Sequence, residues 1–247
     1  GTAYISANRY KFNDLKALAW KTTDYGKTWK PINQGIGKDD FLRVIREDKT
    51  KAGLLYGGGE RGFYLSFDGG NSWRHQQNNL PVVPITDLII RDNDLVAATQ
   101  GRAFWILDDL SALQQSGGDF GDAVVDLYEP KATIKYNSFK APWLPAEIPG
   151  IGANPLDGVI LDYYLSEDAD SANAAVLEII DANDNVIRSY TSRKDPDFKP
   201  YPGGPPAKEV LPAKAGLNRF AWDFRTETLI DIPGAFVYGD YRGHRVA

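Results

Sequence analysis

The chain has 247 residues, a formal net charge of −5, and neither cysteine nor methionine. That length holds one large domain or two modest ones. The missing thiols exclude disulfides and thiolate metal sites, and an acidic balance with scattered Lys and Arg argues against nucleic acid as a partner. No apolar run approaches the ~18 residues that cross a bilayer, so no membrane span is expected. His75 and His244 stand far apart in the sequence, and no metal or cofactor is expected.

Gly1 opens directly into the strand-like run Thr2, Ala3, Tyr4, Ile5, and no methionine offers a start codon. The sequence therefore reads as an internal piece of a longer protein, with any signal peptide lying upstream. Short runs rich in β-branched and aromatic residues then follow one another between turn residues. Residues 3–7 and 17–21 come first, then 41–45, 54–58 and 62–66, then 85–90, 95–99 and 103–107.

Two of these runs end in the same turn. Thr22-Thr23-Asp24-Tyr25-Gly26-Lys27-Thr28-Trp29 is matched by Ser66-Phe67-Asp68-Gly69-Gly70-Asn71-Ser72-Trp73, with Asp24 and Asp68 separated by 44 residues, as are Trp29 and Trp73. An Asp carboxylate can accept N–H bonds within a tight turn. Gly26 and Gly70 can take positive φ, and the Trp covers the turn with a large ring. Asp24, Gly26, Trp29, Asp68, Gly70 and Trp73 are thus read as structural. Strand-rich repeats of this period predict a β-propeller with one four-stranded blade per repeat. A degenerate third copy has Asp108-Asp109 but no following Gly, so residues 84–115 read as the last blade.

Residues 116–155 read as a linker broken by Gly117-Gly118 and five prolines, with one strand-like run at 123–128 that either edges the propeller or packs between domains. Trp143 is its candidate exposed aromatic. From 156 to 247 the runs 159–165, 175–180, 185–190 and 217–224 alternate like strands of an antiparallel sandwich. Asp181-Ala182-Asn183-Asp184 is a hairpin turn signal rather than a calcium loop. The prediction is all-β throughout, with no helix.

The paired turns resemble the Asp-box (BNR) repeats of sialidases, of secreted glycoside hydrolases and of sortilin-type propellers. With the run from Gly101 to Leu110 leading out of the repeats, the chain is most similar to large secreted bacterial proteins labelled "glycosyl hydrolase, BNR repeat". In these, an Ig-like domain similar to that of flagellar hook-capping proteins follows the propeller. The resemblance implies a secreted or periplasmic protein, further blades upstream, and a ligand face on the side opposite the Asp-box turns.

That face would be built by loops between second and third strands and between fourth and first strands. Arg9, Arg61 and Arg102 recur there, one per repeat, 52 and 41 residues apart; the longer interval reflects an insertion of about eight residues, Tyr10 to Leu18. Arginine forks suit a carboxylate or an acidic glycan. Glu60 with Asp39 and Asp40 supplies acids on neighbouring loops. No catalytic residue is assigned, because the arginine signature and the Tyr–Glu pair of sialidases are absent. The expected function is glycan or protein binding; the alternative is a glycoside hydrolase whose carboxylates lie mostly upstream. A sortilin-like peptide binder is a third reading.

Overall fold

Alternating apolar residues, Asx-type turns and glycines at positive φ give short antiparallel strands. In the computed structural model the described residues are 1–118, 123–135, 152, 154–170, 172–228, 232, 234–236 and 242–246. Trp143 lies outside them. The chain divides into two compact units, Gly1–Asp119 and Phe120–Ala247.

The first unit holds three antiparallel sheets in chain order. The first comprises β1 (Ala3–Arg9), β2 (Asp14–Thr22) and β3 (Lys30–Pro31). The second comprises β4 (Leu42–Glu47), β5 (Leu55–Gly59), β6 (Phe63–Ser66) and β7 (Arg74–His75), and the third β8 (Ile85–Arg91), β9 (Asp94–Thr99) and β10 (Phe104–Leu107). Each strand pairs with the next, so every sheet is a meander. The fold is mostly β, as expected. One expectation fails: a helix, α1 (Ser111–Ser116), follows β10 where the third repeat was read as strand and turn alone. The reason is local. Asp109 Oδ1 accepts from the Ser111 N–H and hydroxyl, fully buried Leu110 anchors the segment, and Gly117 at φ 62 ends the helix.

The middle sheet is apolar on both faces because it is covered on both. Leu55 and Tyr64 join Ala19 and Ile32 of the first repeat in one core; Tyr56, Phe63 and Leu65 join Ile85, Leu88 and Leu95 of the third in another. The glycines of β5 follow from this. A Cβ on Gly57 would sit 2.9 Å from the Trp73 ring, and one on Gly58 would sit 2.7 Å from Ile85 and Val44. Neighbouring side chains come too close for anything but hydrogen. The outer sheets each bury one face. Ile5 remains exposed on the first, and Ile89, Phe104 and Ile106 on the third. Trp20 pairs with Ile5 on that outward face and is only half-buried.

In the second unit, β11 (Val125–Leu127), β12 (Val159–Leu165) and β15 (Gly216–Trp222) form one sheet in the order β11-β12-β15. The run at 123–128 therefore belongs to this unit and pairs with β12. β13 (Val176–Ile180) and β14 (Val186–Thr191) form a hairpin. Its turn is held by Asp181, whose Oδ1 accepts the Asn183 and Asn185 N–H groups at 2.8 and 2.9 Å. Tyr163, Leu165 and Phe220 of the sheet share a core with Tyr190 of the hairpin and with Leu211.

Candidate ligand-binding face

The two repeated turns close with the same bonds. Asp24 Oδ1 accepts from the Thr22 hydroxyl and the Thr28 N–H at 2.8 and 2.9 Å, and its Oδ2 from the Thr28 hydroxyl at 2.7 Å. Asp68 repeats the pattern with Ser66 and Ser72 at 2.8, 2.9 and 2.6 Å. Gly26 and Gly70, at φ 85 and 91, donate back to the Thr22 and Ser66 hydroxyls. All three bonding groups on each carboxylate are donors, so both aspartates are fully engaged in the turn.

The indoles differ. Trp73 is 3% exposed, reaches into the first repeat and donates to the Ile32 carbonyl at 2.7 Å, whereas Trp29 is 39% exposed. Gly35, at φ 91, lies so close to the Trp73 carbonyl that a Cβ there would meet its oxygen at 2.1 Å.

These turns sit at the C-terminal ends of β2 and β6. The opposite strand ends carry the candidate ligand residues. After β1 the insertion winds into a single 3-10 turn, Tyr10–Phe12, closed by Asn13 at φ 57. This turn lays the Tyr10 ring on Phe41 of the second repeat, centroids 5.8 Å apart and planes within 7°. The Arg43 guanidinium lies 5.9 Å from the Tyr10 centroid and 5.4 Å from that of Phe41. Glu60 holds it there, bonded to both Nε and Nη2 at 2.5 Å. Arg9 lies 5.9 Å over the Phe12 ring and pairs with Asp14 at 3.6 Å.

Asp40 organises the β5–β6 loop from beneath. It is 3% exposed and accepts from the Glu60 and Arg61 N–H groups and from the Tyr64 hydroxyl at 2.8, 3.2 and 2.8 Å. Burial and the neighbouring carboxylate push the Tyr64 phenol up to about 12, so it stays a donor at every ordinary pH. Asp39, next along, is exposed.

The structure therefore gathers Arg9, Glu60, Asp40 and Arg61 around the Tyr10–Phe41–Arg43 stack. Arg102 occupies the corresponding β9–β10 hairpin of the third sheet, where its carbonyl accepts the Trp105 indole N–H at 3.0 Å. Arg61 and Arg102 are exposed and make no ion pair among the described residues. Tyr10, Phe12, Phe41 and Arg43 were not singled out from sequence. The signal for the first two was the insertion itself, which displaces the first hairpin by enough residues to cross onto the next sheet. Exposed rings beside guanidinium groups can stack on a sugar face or an apolar side chain while pairing with an anionic group. Among the described residues no His, Asp and Glu cluster is arranged to hold a metal, and no helix is long and apolar enough to cross a membrane.

No protein-family model matches this chain, and no curated protein matches it in sequence.

Proposed function

We propose that this chain is the closing part of an Asp-box β-propeller followed by an Ig-like sandwich, in a secreted or periplasmic protein that binds a glycan or a protein. The ligand rests on the face carrying Tyr10, Phe12, Arg9, Arg61 and Arg102. One observation carries the reading: an inserted turn whose tyrosine is stacked on Phe41 and locked by the Arg43–Glu60 pair, leaving Tyr10 44% and Phe12 78% exposed. Tyr10 covers Phe41, but the outward part of its ring and the Phe12 ring add little to folding, and their fixed orientation reduces the ordering cost of binding. The acids bonded into this platform, Asp14, Asp40 and Glu60, are engaged with Arg9, with loop N–H groups and with Arg43, which favours binding over acid–base catalysis.

The exposed Trp29 supports further blades of the same protein as the partner of the first sheet. Its counterpart Trp73 is buried against a preceding repeat, and Ile5 and Trp20 add apolar surface to the same sheet. Calorimetric titration of the full-length protein against neutral and uronic-acid oligosaccharides and a set of peptides tests the ligand assignment. Tyr10→Ala and Arg61→Ala should each weaken the ligand found by about tenfold, the effect of one aromatic or charged anchor. Unchanged affinity in both variants, or release of reducing sugar by the full-length protein, would overturn it.

A further inference from the structure

The hairpin of the second unit has a strand edge that is only partly covered. β14 pairs with β13 along Arg188 to Thr191, and backbone groups of Ile187, Ser189 and Thr191 bond to chain outside the hairpin. At one end the Ile187 carbonyl accepts from the Glu227 N–H at 3.0 Å; at the other the Thr191 carbonyl accepts from the Leu211 N–H at 3.1 Å. Between them the Ser189 N–H has no strand partner. It donates instead to a side-chain carboxylate, Glu227 Oε1, at 2.7 Å.

In front of this edge lies a cleft of about 1030 Å³. Four cations line it, Arg188, Arg193, Lys194 and Lys208, against the acids Asp195, Glu209 and Glu227. Arg188 lies 5.0 Å over the Tyr190 ring and donates Nη1–H to the Thr226 carbonyl at 2.6 Å, yet its Nε–H is buried without an acceptor. Such a group carries a desolvation cost until an acceptor arrives. Burial, then the nearby Asp223, raise the Glu209 carboxyl, against the opposing pull of Arg188.

We propose that this cleft binds an extended acidic peptide, which lies along β14 between the two covered carbonyls and places a carboxylate on the Ser189 N–H in place of Glu227, within reach of the Arg188 guanidinium. Glu227 is then an internal stand-in that occupies the site until a ligand displaces it. The acidic character follows from the cation excess and from the carboxylate that already fills the position. The extended conformation follows from the strand edge, where Val210 is already bridged in parallel to Thr191.

The test is titration of the full chain with a short peptide of alternating valine and glutamate, its valine–glutamine counterpart, and an oligogalacturonate. The glutamate peptide should bind and the glutamine peptide should bind at least about tenfold more weakly, the effect of a charge-assisted bond. Glu227→Ala should raise affinity several-fold, a gain that a purely structural glutamate would not give, and Lys208→Ala should lower it. Equal binding of the two peptides, preference for the oligogalacturonate, or loss of affinity in Glu227→Ala would each overturn the proposal.

Discussion

A single carboxylate decides each repeated corner. The Thr28 hydroxyl and N–H, followed by the Thr22 hydroxyl, hold Asp24 down to about 2, well below the usual carboxylate range. Burial opposes the same effect at Asp68, but the Ser72 and Ser66 donors prevail and keep it low. A depressed native value stabilises the fold fully above about pH 4, where the unfolded aspartate ionises, and that contribution disappears as pH falls through the native value. Urea midpoints should therefore drop between about pH 4 and pH 2, and Asp24→Asn should flatten the drop across that window. A variant that keeps the full slope would show that the corner is not the titrating element. Asp68→Ala at neutral pH should cost roughly 1–2 kcal/mol, in line with the loss of a turn cap.

Among the elements, α1 is the least expected and the most informative. It is six residues long, too short to persist alone. Side chains fasten it: Gln114 donates to Asp48 Oδ2 at 3.0 Å and to Asn93 Oδ1 at 2.7 Å, and Tyr56 donates to the same Asp48 oxygen at 2.7 Å. Burial, then the Asp48 bond, raise the Tyr56 phenol strongly, so this donor never titrates in ordinary conditions. Tyr56→Phe should cost about 1–3 kcal/mol by leaving a buried acceptor short of a partner. Leu110→Ala should cost about 2–5 kcal/mol by opening a cavity under the helix, as read by chemical denaturation. A change of only a few tenths in both would mean that the helix is not part of the folded core.

The strands were legible and the helix was not, for a shared reason. Residues 54–58 and 62–66 carry leucine and aromatic side chains between turn residues, a pattern that needs no partner to be read, whereas the helix owes its existence to contacts with Asp48 and Asn93, distant in sequence. β15 shows the same limit on a smaller scale. Asn218 points inward and bonds Lys214 through both ends of its amide, while Leu217 is 45% exposed, so the apolar residues alone misstate the phase of the strand. At the candidate face, the sequence revealed the arginines by their recurrence. It could not reveal that Tyr10 would lie on Phe41, because that contact joins two repeats.

In the first unit as a whole, three sheets follow one another, and the middle one is buried on both faces by its neighbours. The corners lie at one end of β2 and β6 and the aromatic–arginine platform at the other, so changes at one end should leave the other intact. What joins the first sheet to the second is a polar and apolar clasp, with Trp73 seated under Gly35, over Gly57 and on the Ile32 carbonyl. Trp29 occupies the same place in its own repeat without that seat. The comparison of the two indoles by equilibrium urea unfolding therefore reaches the centre of the account. Trp73→Ala should lower stability by about 3–5 kcal/mol, the range for a large aromatic removed from a core, and Trp29→Ala by far less. Equal losses in the two variants, or a larger loss at Trp29, would contradict a stack in which each repeat is anchored on the one before it.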